Sequence, residues 1–250
     1  MADLFVARHP GPPGARRVVL VHGSLDRSTA FVRVARALPE LSVLRYDRRG
    51  YGRSLALGPA RSFDTQVDDL ASVVGDEPAI VVGHSLGGVV ALTFASRHPD
   101  RASAVVAYEA PMPWLTSWPS NTAGGVALAD SGGEAEAAER FMRRIVGDDM
   151  WEALPERTKD QRRAEGPALV SELRSLRPPH DAPYEITSLA APVVAGHGGM
   201  SRPHHQEAAR ALAVQAPRGE LVVIDGASHG AHLSHPVEFA GLVKRAAALS

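Results

Sequence analysis

The hexapeptide GHSLGG, Gly83 to Gly88, sets a serine between glycines at G-x-S-x-G spacing. It directly follows the apolar run AIVVG and directly precedes the helical pattern LGGVVALTFASR. A sharp turn from strand to helix strains the serine backbone and leaves no room for side chains on its flanks. Gly83 and Gly87 supply that room, so the spacing predicts that Ser85 projects its hydroxyl above a sheet as a nucleophile. The helix beginning beside it aims backbone N–H groups at the same point, where they favour developing negative charge. Several imidazoles accompany the serine. His229, His232 and His235 recur every three residues, a spacing that invites a metal, but no Asp or Glu stands at ligand spacing among them. No metal is therefore expected. His84 is expected to buttress the turn, and His204 and His205, at the start of a predicted helix, to be solvated.

Valine-rich runs at 18–21, 42–46, 79–83, 104–108, 192–196 and 221–225 lack polar alternation. Such strands are buried on both faces, as in a parallel sheet covered by helices. Helical patterns at 28–37, 64–74, 86–97, 204–214 and 236–248 fall between and after them, predicting a doubly wound, mostly parallel α/β sheet. A short edge strand is expected near Leu4–Ala7. One interval breaks the rhythm. Residues 112–189 show helical patterns at 121–131, 134–146, 148–154 and 158–176, with prolines, Pro178 and Pro179 among them, at the two ends. The expected organisation is a core of residues 1–111 and 190–250 with a helical cap insertion at 112–189. Ligands bind beyond the carboxyl ends of the strands, so a cap there would roof the site. Trp114, Trp118, Phe141, Met142, Met150 and Trp151 are expected to pack within it.

Four further stretches carry a family resemblance. They are LVHGSLD (20–26), YDRRGYGRS (46–54), RHPDRA (97–102) and DGASHGAHLSHPVEF (225–239). With the serine turn they resemble the α/β-hydrolase superfamily on both sides of the cap. The resemblance implies an oxyanion hole made by the backbone N–H groups of Ser24 and Leu86, with His229 as general base. Asp47 and Arg49 are then loop locks, and Ser228 stands where the family carries a glycine.

A histidine base needs an acid to fix its tautomer and stabilise the imidazolium. The family usually places a carboxylate shortly after the strand PVVAG, but here Gly196, His197, Gly198 and Gly199 follow, and no carboxylate appears before Glu207. Asp225, Asp26, Glu109 or a Ser–His dyad with water remain as substitutes. Glu109 is the preferred one. It ends the strand after the nucleophile strand, where certain haloalkane dehalogenases carry their acid, and it keeps the chain order Ser85, Glu109, His229. The stretch VVAGHGG would then leave room for substrate or water.

Twenty-seven Lys and Arg against 28 Asp and Glu leave a net charge of −1, which predicts neither nucleic acid nor an anionic membrane as partner. There are no cysteines, which excludes disulfides and thiolate chemistry. The start lacks a basic segment followed by an apolar run, and no run approaches the roughly 20 residues that span a bilayer, so a cytoplasmic location is expected. The expected activity is hydrolysis of a small apolar carboxylic ester or lactone through an acyl-enzyme, without a cofactor. Cleavage of a carbon–carbon bond or perhydrolysis would use the same triad. A ligand-binding protein without catalysis is the alternative from another class.

Overall fold

The valine-rich runs are the strands of one seven-stranded sheet. The computed structural model describes residues 3–129, 132–177 and 180–250. The strands are β1 (Val6–His9), β2 (Arg17–Val21), β3 (Ser42–Tyr46), β4 (Ala79–His84), β5 (Ala102–Tyr108), β6 (Val193–Gly198) and β7 (Gly219–Ile224). Their order is β1-β3-β2-β4-β5-β6-β7, all parallel except β1, which pairs antiparallel with β3. The helices of the first half are α1 (Val32–Arg36), α2 (Phe63–Val74) and α3 (Leu86–Arg97). Between β5 and β6 come α4 (Ala123–Leu128), α5 (Glu134–Val146), α6 (Asp148–Ala153), α7 (Glu156–Ala164) and α8 (Gly166–Ser175). The chain closes with α9 (Pro203–Gln215), α10 (Ala231–Ser234) and α11 (Pro236–Leu249).

Successive side chains of a strand point to opposite faces, and this divides the core. Val19, Val21, Val81 and Val105 pack with Leu70 of α2 and Phe94 of α3. Val18, Leu20, Ile80 and Val106 pack on the other face with Val34 of α1 and Phe239 of α11. Both layers are fully buried, which is why these strands read as uninterrupted valine.

The segment between β5 and β6 is helical, and it has its own apolar cluster. Phe141 of α5 and Leu169 of α8 pack against Leu25 and Tyr51, which lie on the loops leaving β2 and β3. Those helices therefore stand over the carboxyl ends of the strands. Trp151 is fully buried there, whereas Met150, expected in the same packing, is 57% exposed. The pattern at 158–176 forms two helices rather than one. A Cβ on Gly166 would lie 2.1 Å from the Glu134 carbonyl oxygen, so α8 starts where it passes under α5, with Pro167 in its first turn. Residues 130 and 131 of the expected helix 121–131, and Pro178 and Pro179, lie outside the described residues. Among the described residues no helix is long and apolar enough to cross a membrane.

Candidate active site

Ser85 stands between β4 and α3 with φ 53° and ψ −126°, a conformation that costs a non-glycine residue about 1–3 kcal/mol. The glycines on either side permit it. A Cβ on Gly83 would lie 2.2 Å from the Gly87 carbonyl oxygen, and one on Gly87 2.2 Å from that of Val21. The Ser85 N–H donates to the Tyr108 carbonyl at 2.8 Å, so the turn is tied to the neighbouring strand.

That strand delivers the carboxylate. His84 of β4 is paired with Tyr108 of β5, so Ser85 and Glu109 each sit one step past the end of the aligned ladder. Glu109 also adopts a left-handed backbone, φ 50°, and its N–H donates to the Gly196 carbonyl at 2.9 Å. Its side chain is fully buried, and Oε2 lies 2.7 Å from His229 Nδ1. Oε1 accepts the Gly198 N–H at 3.0 Å and a short hydrogen bond from the Ser201 hydroxyl. Burial alone would raise this carboxyl, but the hydrogen bond and charge of His229, with help from Ser201, hold it down at about 2. It is ionised throughout the neutral range.

The loop after β6 thus does not simply leave room for substrate or water, as expected from its small residues. The last residue of β6, Gly198, and Ser201 of the loop supply two of the three donors that hold Glu109. The other carboxylates considered are elsewhere: Asp225 is exposed, and Asp26 Oδ2 lies 3.0 Å from His232 Nε2. Neither is bonded to His229.

With its Nδ1–H donated to the carboxylate, His229 presents Nε2 as the nitrogen able to accept a proton. Two further imidazoles position this ring. His84 Nε2–H donates to the His229 carbonyl at 2.8 Å, so it braces the His229 loop as well as the turn. Burial, reinforced by His232 and His229, pushes the His84 pKa well below its usual value, so it stays neutral. His205 stacks on the His229 ring at 4.8 Å between centroids and 25° between planes. It is half-buried against that ring, contrary to the solvated position expected from its place at a helix start. Burial, then the nearness of His229, depresses its pKa strongly too. His204 is half-buried and meets Trp118 edge to face.

The spaced histidines do not converge on one point. His229 bonds Glu109, His232 bonds Asp26, and His235 Nδ1 bonds the Ser234 hydroxyl. Two other groups have ligand atoms within 4.8 Å of one another: Asp26, His84 and His232, and Glu109, His205 and His229. Both have the donor types of a cation site. Their carboxylates come from 206 and 120 residues away, beyond any spacing rule.

Ser24, Leu86, Ser85 and His229 border one cavity of about 240 Å³. Neither the Ser24 nor the Leu86 N–H has a protein acceptor among the described residues. The loop carrying Ser24 is rigidly held. His22 Nδ1–H donates to the Gly23 carbonyl, and His22 Nε2 accepts the Arg48 N–H at 2.8 Å. Burial and Arg48 lower the His22 pKa to about 3, which keeps this acceptor neutral. The Arg48 guanidinium donates to the His22 and Gly23 carbonyls and pairs with Glu172 of α8 at 2.8 Å. Asp47 and Arg49 lock loops, as read from the sequence. Asp47 accepts the Ser28 and Arg53 N–H groups, and Arg49 forms a two-pronged pair with Asp69. A strained serine, a histidine paired with a buried carboxylate, and two amides without protein acceptors among the described residues suit nucleophilic acyl transfer.

The sequence model of the Alpha/beta hydrolase family matches residues 18–242. A pimeloyl-[acyl-carrier protein] methyl ester esterase from Chromobacterium violaceum is 32% identical over 236 residues, 89% of this chain and 90% of the esterase. Lipase LipV of Mycobacterium tuberculosis is 40% identical over 107 residues, 42% of this chain, and the chain covers only 40% of that lipase. The solved structure of an enol-lactonase from Burkholderia xenovorans LB400 superposes with a TM-score of 0.74 at 20% identity, over 98% of this chain and 96% of the enol-lactonase. That likeness is one of fold. The chain belongs to the alpha/beta hydrolase family.

Proposed function

We propose that the protein is a serine hydrolase that cleaves a small carboxylic ester or lactone through a Ser85–His229–Glu109 triad, beneath a cap formed by residues 112–189. Ser85 Oγ attacks the carbonyl carbon while its proton passes to His229 Nε2. The N–H groups of Ser24 and Leu86 receive the oxyanion, a contribution of several kcal/mol at the transition state. Collapse of the tetrahedral adduct breaks the acyl–oxygen bond, and the departing alkoxide takes the proton from His229. Water then attacks the acyl-enzyme by the same route, releasing the acid and restoring Ser85. The observation that carries the reading is the 2.7 Å contact of His229 Nδ1 with the buried Glu109 carboxylate, beside a serine at φ 53°. The esterase and lactonase relatives agree with an ester or lactone substrate.

A fluorophosphonate probe tests it. Wild-type protein is expected to label promptly and Ser85→Ala not at all, with turnover of short aryl esters lost in the same variant. Folded wild-type protein that neither labels nor turns over any ester or lactone would falsify the proposal.

A further inference from the structure

The cavity beside Ser85 is not purely apolar. Trp118, Phe141, Leu173 and Leu176 give it an apolar wall, but its charged lining consists of Arg144, Arg177 and Arg202, with no Asp or Glu among the lining residues. Chance does not explain this excess easily, because the chain as a whole carries a net charge of −1.

Pairing and burial together set Arg144 and Arg177 apart, with the exposed Arg202 beside them on the cavity wall. Several other arginines around the inserted helices are bound to carboxylates, and Arg157 and Arg174, which have no carboxylate partner among the described residues, are exposed. Arg143 meets Glu139, Asp148 and Glu152; Arg163 meets Glu139, Glu156 and Asp160; Arg27 meets Glu165. Arg144, by contrast, donates only to the Asn121 carbonyl, and neither it, Arg177 nor Arg202 has a carboxylate partner among the described residues. Arg144 and Arg177 are half-buried, where cations lose part of their hydration. Unpaired guanidinium groups on a partly enclosed wall attract an anion, and their planar forks bind carboxylate or phosphate in two-pronged fashion.

We infer that this cavity selects substrates that combine an apolar body with an anionic group, the ester or lactone carbonyl facing Ser85 and the anion facing Arg144, Arg177 and Arg202. The inference rests on the hydrolase reading for its reacting bond, and it replaces the expectation of a wholly apolar ester.

Matched esters test it. 4-Nitrophenyl hydrogen adipate is compared with its neutral methyl ester, and 4-carboxyphenyl butanoate with its neutral methyl ester, which puts the anion on the acyl or the alcohol side. At least one anionic member is expected to exceed its partner in kcat/KM by about tenfold or more, the worth of one charged hydrogen-bonded contact. That ratio is expected to collapse towards unity in the double variant Arg144→Gln/Arg177→Gln and to fall as salt is raised. A direct binding arm uses hexanoate, hexyl phosphate and hexanol in calorimetry. Either anion should bind more tightly than hexanol, and the tighter of the two identifies the preferred group. Ser85-dependent hydrolysis with equal kcat/KM for charged and neutral partners, or hexanol binding as well as both anions, overturns the anion site and leaves the hydrolase intact. Absence of turnover and labelling, with anion binding that the double variant loses, overturns the hydrolase and leaves the anion site standing.

Discussion

Replacing Glu109 with glutamine changes one oxygen to an amide nitrogen without changing shape, and the surroundings dictate which way the amide must lie. The Gly198 N–H is a fixed backbone donor aimed at Oε1, so the glutamine oxygen has to stay on that side. Its NH₂ group then faces His229 Nδ1, which in the wild type is a donor to Oε2. Two donors cannot share that contact, so His229 flips to the tautomer with its proton on Nε2. In that form it cannot accept the Ser85 proton. The variant also loses the carboxylate charge that stabilises the imidazolium. Together these predict a fall in kcat of about 10³–10⁴-fold, or about 4–5.5 kcal/mol at the transition state. The assay is aryl-ester turnover, checked against circular dichroism for folding and against ¹⁵N NMR for the His229 tautomer. Asp225→Asn serves as control and is expected to stay within threefold of wild type, about the scatter of an exposed substitution. Folded Glu109→Gln protein that turns over within about tenfold of wild type, or that keeps the proton on Nδ1, would refute the reasoning.

Three other outcomes follow from the same geometry. Ser85→Gly is expected to be more stable than Ser85→Ala by about 1 kcal/mol in urea unfolding, because only glycine relieves the positive φ. Ser201→Ala removes a donor to a charged acceptor and is expected to cost about 1–2 kcal/mol near neutral pH. The Glu109 pKa is depressed from 4.5 to about 2, so this stabilisation is fully present above pH 4.5 and lost as pH falls towards 2. The deficit of Ser201→Ala, followed by urea unfolding at successive pH values, is therefore expected to shrink across that window. Glu172→Gln leaves the fully buried Arg48 without its counter-charge and is expected to cost about 3–5 kcal/mol by the same unfolding measurement, with weakened activity because Arg48 holds the Ser24 loop.

The sheet could be read from the sequence because strands buried on both faces admit little but valine, isoleucine, leucine and alanine. The serine turn was equally legible, since its glycines answer to clashes that the backbone alone creates. The placement of Glu109 beside Ser85 could be anticipated because strand order puts the ends of β4 and β5 side by side. What escaped was contact across distance. Nothing in GHGGMSRP signals that Ser201 reaches a carboxylate 92 residues away, or that Gly198 donates to it. The place of His205 near a helix start predicts a solvated ring, and only the packing of α9 against β6 and β7 stacks it on His229. One miss did leave a trace. Gly166-Pro167 marked the break between α7 and α8 within a run that otherwise kept helical periodicity.

The paired placement of Ser85 and Glu109 just past the β4–β5 ladder bears on which insertions and deletions the chain can absorb. Adjacent strands lie about 4.8 Å apart by virtue of their hydrogen bonds, so the separation of these two residues does not depend on the length of any loop. His229 alone rides on a loop, and His84 grips its carbonyl from the strand side. In a hydrolase whose acid sits after β6, lengthening that segment would carry the acid away. Here the segment beyond Ser201 can lengthen or shorten while the carboxylate stays where the sheet puts it, a freedom confined to the stretch following the two donors that hold Glu109.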